Sequence, residues 1–370
     1  MARSPIRAEL RIGIVGCGRA AAVLHAPALA RVPGTAVVAL ADPDPDRLVE
    51  LGARCRGAAA YDDYRRLLDD QRVDLVAVCV PATLHAQVAL GALHAGKHVL
   101  IEKPLALSLE DCERIAAEAR RAEATGVRSA VGFNLRSHRL LRQAKDVLAS
   151  GALGDIELLR TLWTADWSGG ARPPWHARRV TGGGALLEIG THLADLWRWL
   201  LGSEVASVRA LSRSSVFDDQ TATLQARMAN GVLVSAAVSQ RSASHNVVEV
   251  FGSRGSLRLS CYHADSYEVA LVGAPVRGAW RRLRPLVDKA ASLPAAIRAA
   301  RAGGDFRMSY GHQWARIAAA LKDGGPMPAS VHDGRQAAGV LDAALRSLEE
   351  GVEVSPNPTL APARPDALAG

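Results

Sequence analysis

The chain has few cysteines, no long hydrophobic run, and too little glycine and proline for a disordered or fibrous protein. Its five Cys form no C-x-x-C pair and show no Cys/His metal spacing, so we expect neither a disulfide framework nor a bound metal. Apolar stretches such as 75–82 fall far short of the roughly 20 residues that span a bilayer. The N-terminal apolar run lacks a small-residue cleavage site. These absences predict a globular, reduced protein of the cytoplasm with no membrane partner.

Positive charge is concentrated in one segment. The net charge is +8, with 45 Lys and Arg against 37 Asp and Glu, and residues 277–307 supply +6 of it. The rest of the chain is close to neutral, so we expect no nucleic-acid partner. We interpret 277–307 as a basic insertion with a solvated helical face. The alternatives are contact with the diphosphate of a nucleotide sugar and a place at the rim of an oligomer.

The length of 370 residues predicts two domains, and the first has an alternating pattern. Short apolar segments alternate with helical ones from the N-terminus to about residue 134. The predicted strands are 11–15, 36–41, 73–80, 97–101 and 128–133. Strands that alternate with helices predict a parallel sheet, because a helix must carry the chain back before the next strand can start. We therefore predict an α/β Rossmann domain with a doubly wound parallel sheet over residues 1–134.

The pattern changes after residue 135. Successive strands are now predicted with one strong helix, 185–201, among them, and Asn230-Gly231 is a strong hairpin signal. The predicted strands are 157–164, 205–212, 221–228, 232–239 and 247–251. We predict an α+β domain with a mostly antiparallel open sheet over 135–354, for substrate binding and oligomerisation, and a disordered tail over 355–370.

A glycine turn follows the first strand. Gly16, Gly18 and Ala21 form G-x-G-x-x-A, in which the glycines allow a tight turn and close approach to a pyrophosphate. Asp42 lies 21 residues after Ala21, at the end of the second strand, where a carboxylate binds the ribose hydroxyls. This predicts NAD, although Arg47 leaves NADP possible. The alternative is an ordinary turn whose Asp42 caps the next helix.

Two further motifs carry candidate catalytic residues. Lys103 follows a strand that ends in the predicted cofactor crevice, although a surface lysine is the simpler interpretation. Glu188 and His192 are spaced i, i+4, which puts them on one face of an α-helix; an ordinary surface pair is the alternative. Gly190 between them predicts that a nicotinamide or a substrate ring packs close to the helix.

Together these motifs resemble the Gfo/Idh/MocA family of NAD(P)-dependent oxidoreductases, over residues 11–350. The resemblance rests on five segments, which read G-C-G-R-A-A, V-D-L-V-A-V-C-V-P-A-T-L-H, G-K-H-V-L-I-E-K-P-L-A, G-A-L-G-D-I and G-G-G-A-L-L-E-I-G-T-H. It implies that Lys103 is the active-site lysine and His192 the general acid/base. The resemblance implies a catalytic role for Glu188 as well. The family usually has Asp at this position, so Glu188 is a departure from the family pattern.

The resemblance also implies which residues surround the ligands. The expected cofactor neighbours are Gly16, Gly18, Arg19, Ala20, Ala21, Asp42, Pro81, His85, Glu102 and Lys103. The expected substrate neighbours are Asn134, Trp163, Trp167, Trp175 and His192. For the tryptophans, packing in the sheet core or an oligomer surface is an equal alternative.

The implied function is hydride transfer between nicotinamide and a secondary alcohol of a sugar, aminosugar, cyclitol or nucleotide sugar, in a homodimer or homotetramer. One alternative is a glycoside-cleaving enzyme of the same family that uses NAD without net redox change. Another is a non-catalytic, nucleotide-sensing regulator. The presence of both Lys103 and His192, and the lack of an added helix-turn-helix segment, argue against the regulator.

Overall fold

We analysed a computed structural model, which describes residues 9–167, 169, 174–262, 267–272, 293–294, 297–299, 301 and 303–356. The chain divides into two compact units. The first comprises Met1–Arg142, Val180–Gly182 and Leu293–Ala338, and the second Gln143–Arg179, Gly183–Ser292 and Gly339–Gly370. Most of the predicted basic insertion, and all but 355–356 of the predicted tail, lie outside the described residues.

The first unit contains a parallel six-stranded sheet in the order β3-β2-β1-β4-β5-β6, which confirms the predicted doubly wound class. The strands are β1 (Leu10–Val15), β2 (Thr35–Ala41), β3 (Ala59–Tyr61), β4 (Leu75–Val78), β5 (His98–Ile101) and β6 (Ser129–Val131). Every residue of β4 and β5 is buried. That burial explains their unbroken apolar sequences, since a parallel sheet is covered on both faces.

The second unit contains a mixed seven-stranded sheet in the order β13-β12-β11-β7-β10-β9-β8. Its strands are β7 (Ile156–Asp166), β8 (Val205–Arg213), β9 (Thr221–Met228), β10 (Leu233–Ser239), β11 (Arg241–Gly252), β12 (Gly255–Leu259) and β13 (Tyr267–Leu271). β9 and β10 form the predicted hairpin, with Gly231 at φ +90°. β7 and β10 run parallel, whereas the other pairs are antiparallel, so the prediction of a mostly antiparallel sheet is confirmed.

Helices connect and cover these strands. They are α1 (Ala26–Leu29), α2 (Pro45–Gly52), α3 (Tyr64–Asp69), α4 (His85–His94), α5 (Leu109–Glu123), α6 (Arg139–Ala149), α7 (Thr191–Leu201), α8 (Asp305–Asp323) and α9 (Val331–Glu350). Ser108 caps α5, because its hydroxyl accepts the Asp111 N–H at 3.1 Å. Within the described parts of the chain, none of the helices is long and apolar enough to cross a membrane.

The helical segment between β1 and β2 is irregular. A π-helical turn, Ala21–His25, precedes α1, and the Ala26 N–H bonds to the carbonyl of Ala21. Pro27 has no N–H to donate to the preceding turn, so a regular α-helix cannot continue through this point with all its hydrogen bonds. The π-helical turn places His25 fully buried in the first unit, next to Trp314 of α8.

Candidate active site

The glycine turn of the first unit has the geometry of a dinucleotide site. Gly16 has φ +91°, and a Cβ there would lie 2.6 Å from the carbonyl carbon of Cys79. Only glycine fits both the conformation and the space. A Cβ at Gly18, by contrast, would meet nothing within 4 Å. The turn is therefore open beside Gly18, where a pyrophosphate could approach the backbone.

Asp42 holds this turn. Its carboxylate is 5% exposed and accepts the Cys17 N–H at 2.7 Å and the Asp44 N–H at 3.0 Å. The N-cap of α2 is Asp44, so the interpretation of Asp42 as the helix cap is wrong. A carboxylate can accept about four hydrogen bonds, which leaves capacity for ribose hydroxyls. Arg47 forms an ion pair with Asp44 at 3.1 Å. The turn and its carboxylate therefore fit NAD.

Glu102 supports the turn that carries Lys103. Its Oε2 accepts the backbone N–H of Lys103 at 3.1 Å, and its Oε1 lies 2.8 Å from His25 Nε2. A Cβ at Gly132 would lie 2.8 Å from that Oε1, so glycine makes room for the carboxylate. Glu102 was expected beside the cofactor. In the structure these described contacts hold the backbone at Lys103.

Sequence reasoning missed His25, which lies 77 residues from Glu102. Burial lowers the pKa of His25, but Cys79 and Glu102 outweigh burial, so the pKa lies above its ordinary value. The indole N–H of Trp314 lies 3.1 Å from His25 Nδ1. An indole N–H can only donate, so Nδ1 must carry a lone pair. The hydrogen-bond geometry therefore assigns a neutral ring whose Nε2–H donates to the Glu102 carboxylate, and this geometry outweighs the raised pKa, which would favour the charged ring.

His85 lies on the other side of the same turn. Its Nδ1 lies 2.7 Å from the carbonyl oxygen of Pro104, and its Nε2 lies 3.0 Å from that of Val80. Burial lowers the pKa of His85, which favours a neutral ring. A neutral ring donates to only one of these carbonyls, and the ring lies between the residues after β4, where Pro81 lies, and the Lys103–Pro104 turn after β5. Both ring nitrogens face backbone carbonyls of these two loops.

Asn134 is fully buried in the first unit. Its Nδ2 donates to Ser309 Oγ at 2.7 Å, and Ser309 in turn donates to the Phe306 carbonyl at 2.6 Å. Its Oδ1 has no hydrogen-bond partner within the described part of the chain. This acceptor is the kind of group that a carboxamide or hydroxyl of a ligand satisfies.

In the second unit, Glu188 lies on a π-helical turn, Leu186–Gly190, that leads into α7. The turn that carries Glu188 is therefore π-helical, where the sequence predicted α-helix, and it contains more residues than an α-helical turn. Glu188 forms a short hydrogen bond with His176 Nδ1. Sequence reasoning missed His176, which no spacing rule links to Glu188.

A tryptophan ring lies beside each of the two histidines, His192 and His176. His192 is 8% exposed and lies almost parallel to Trp163, with ring centroids 6.2 Å apart. Tyr262 meets Trp163 edge-on at 5.1 Å. His176 stacks on Trp175 at 3.6 Å. The structure thus brings the predicted Trp163 together with His192, and Trp175 together with a histidine that was not predicted.

The explanation given for Gly190 is also corrected. A Cβ there would lie 3.3 Å from a methyl carbon of Leu341 in α9. An apolar side chain of the protein therefore accounts for the small residue, in place of a nicotinamide or a substrate ring. Among the residues that the structure covers, no group of three or more His, Cys, Asp or Glu could hold a metal ion.

Comparison with known families agrees with this geometry. Residues 10–132 match the model of an oxidoreductase family with an NAD-binding Rossmann fold, GFO_IDH_MocA. Residues 141–258 match the model of a GFO/IDH/MocA C-terminal domain. The chain belongs to the Gfo/Idh/MocA family. It is an oxidoreductase with an NAD-binding domain, which confirms the predicted family and cofactor.

Gfo/Idh/MocA relatives match along nearly the whole chain. Myo-inositol 2-dehydrogenase of Thermotoga maritima is 30% identical over 92% of this chain and 97% of its own length. Inositol 2-dehydrogenase 2 of Saccharopolyspora erythraea is 30% identical over 95% and 98%. The crystal structure of a probable dehydrogenase from Thermotoga maritima superposes with a TM-score of 0.76, at 28% identity over 94% of this chain and 99% of that one.

Proposed function

We propose that the protein is an NAD-dependent dehydrogenase that oxidises a secondary alcohol of a cyclitol or sugar. The observation that carries the proposal is the Asp42 carboxylate on an open Rossmann glycine turn, in a chain similar along nearly its whole length to two inositol 2-dehydrogenases. Bound NAD supplies the hydride acceptor.

Asp42 favours NAD over NADP. Its carboxylate accepts hydrogen bonds from a ribose 2′-hydroxyl and repels a 2′-phosphate. Arg47, the cation that left NADP open, is paired with Asp44 at the surface. We therefore expect the enzyme to use NAD in preference to NADP.

We assign proton transfer to His192 and charge stabilisation to Lys103. His192 takes the proton of the substrate hydroxyl, and its ring lies almost parallel to that of Trp163. The Lys103 ammonium stabilises the negative charge that develops on the substrate oxygen, on a backbone fixed by Glu102 and His85. Glu188 forms a hydrogen bond with His176, and this contact supports a role for Glu188 in positioning the His176 ring.

A spectrophotometric assay tests this function. The purified protein is incubated with NAD or NADP and a panel of inositols, sugars, aminosugars and UDP-sugars, and absorbance is followed at 340 nm, where the reduced cofactor absorbs. We expect NADH to form with at least one cyclitol or sugar, and a higher kcat/KM with NAD than with NADP. Tight NAD binding with no reduced cofactor from any substrate would contradict the proposal and favour glycoside cleavage without net redox change.

A further inference from the structure

Two amide side chains in the second unit are buried with unsatisfied polar atoms. Asn246 is 1% exposed and Gln240 is 0% exposed. Asn246 Nδ2, Gln240 Nε2 and Gln240 Oε1 have no hydrogen-bond partner within the described ranges. Buried polar groups in folded proteins are nearly always paired, so such groups need an explanation.

Strand register places Asn246 beside the aromatic cluster. Asn246 of β11 pairs directly with Trp163 of β7, so the two side chains lie on the same face of the sheet. That is the face on which Trp163 meets His192 and Tyr262. The amide of Asn246 therefore lies in the row that carries the ring next to His192.

Gln240 lies at the end of the neighbouring row. Val238 of β10 pairs with Trp163 from the other side, and Gln240 follows two residues later. Its backbone is fixed at this position, because its N–H donates to the Gln220 carbonyl and its carbonyl accepts the Trp167 N–H, both at 2.8 Å. Gln240 and Asn246 thus flank Trp163 through the strands on its two sides.

The chemistry of Asn246 fixes which of its atoms is unsatisfied. The Cys261 N–H donates to Asn246 Oδ1 at 2.8 Å, so that atom must be the oxygen. The NH₂ group is then a donor with no partner among the described residues. Gln240 adds one NH₂ donor and one carbonyl acceptor. Neighbouring hydroxyl groups satisfy such a set, because each hydroxyl both donates and accepts.

We infer that Asn246 and Gln240 bind hydroxyl groups of an uncharged polyol ring that lies against Trp163, and so determine substrate specificity. The inference rests on the proposed function and extends it. The hydroxyls of the ring would pair the polar atoms for which the described residues offer no partner. A site of this kind discriminates strongly against analogues that lack the hydroxyl, because its amides would stay unpaired.

The test measures polyol binding and needs no turnover. The wild-type protein saturated with NADH is titrated by calorimetry with myo-inositol, D-glucose, N-acetyl-D-glucosamine and deoxy analogues of whichever binds. The variants are Gln240→Met, which keeps the length of the side chain, and Asn246→Asp, which keeps the acceptor for Cys261. The matched control is Gln225→Met on β9, an exposed glutamine that donates to Ser235 at 3.1 Å.

We expect Gln240→Met and Asn246→Asp each to weaken polyol binding about tenfold, and Gln225→Met to leave it unchanged. A deoxy analogue that binds the wild type more weakly than the parent polyol does should bind the corresponding variant about as well as the parent polyol does. The melting temperature of Gln240→Met without polyol should rise, because two buried unpaired atoms are removed. If Gln240 has only a structural role, the melting temperature of Gln240→Met should fall instead.

The outcomes separate this inference from the proposed function. Unchanged polyol affinity in both variants, together with normal reduction of NAD by the polyol, would overturn the inference and leave the function intact. Polyol binding that depends on both amides, without any hydride transfer, would support the inference and overturn the function. Binding of NADH but of no polyol would overturn both. If Gln240→Met does not fold, Asn246→Asp alone decides.

Discussion

The ion pair between Asp333 and Arg136 gives a stability prediction whose size follows from the structure. Arg136 lies in the short helical turn that begins at Asn134, and its guanidinium is 2.9 Å from the Asp333 carboxylate of α9. Burial raises the pKa of Asp333, but Arg136 and Ser330 outweigh burial and lower the pKa from 3.8 to about 2. The pair therefore anchors the segment that carries Asn134.

The shift converts into a free energy. One pKa unit corresponds to about 1.4 kcal/mol, so the charged form of Asp333 contributes on the order of 2 kcal/mol to the free energy of unfolding. Because the folded-state pKa lies below the unfolded one, this contribution is complete above about pH 4 and is lost as the pH falls toward 2. About half of it should remain at pH 3.

The assay is urea unfolding of Asp333→Asn and wild type at pH 7, 5 and 3. We expect a loss of about 2 kcal/mol at pH 7 and 5 and about half of that at pH 3. The control is Asp342→Asn on the same helix, whose exposed ion pair with Arg346 at 3.2 Å should contribute less than about 0.5 kcal/mol. Equal losses in the two variants, or a loss at Asp333 that does not change with pH, would refute this reasoning.

Three further predictions concern the site. His192→Ala should lower turnover by about 10² to 10⁴ without changing NADH affinity, and turnover near the wild-type value would rule out a general base there. Gly132→Ala should lower kcat by crowding the Glu102 carboxylate, whereas Gly311→Ala, where a Cβ meets nothing within 4 Å, should leave kcat unchanged. Asp42→Asn should reduce the ratio of kcat/KM for NAD to that for NADP, and an unchanged ratio would exclude Asp42 from ribose recognition.

Local sequence patterns predicted the fold class and most elements because burial leaves a local signature. The fully buried β4 and β5 read as unbroken apolar runs. β3 was missed because it is a short edge strand with no fully buried residue, and α3 because six residues are too few for a periodic pattern. The parallel pairing of β7 with β10 was also missed, since pairing between strands far apart in sequence leaves no local pattern.

The residues of the candidate site also fall into two groups, those that sequence patterns could identify and those that they could not. The glycine turn, Lys103 and His192 could be named because their motifs are continuous in sequence. His25, His176 and Asn246 could not be named, because each acquires its partner through the tertiary fold. His25 meets Glu102 across 77 residues, and Asn246 meets Trp163 through the pairing of two strands. The π-helical turn at Glu188 likewise could not be predicted, because no local sequence pattern indicates its hydrogen bonds.

The central claim, direct hydride transfer from a polyol carbon to NAD, is tested most directly with deuterium. The protein is mixed with NAD and a cyclitol or sugar deuterated at its carbon-bound positions, and the reduced cofactor is analysed by mass spectrometry. We predict that the reduced cofactor carries one deuterium from the polyol. Reduced cofactor without deuterium, or no reduced cofactor from any polyol in the panel, would contradict the account.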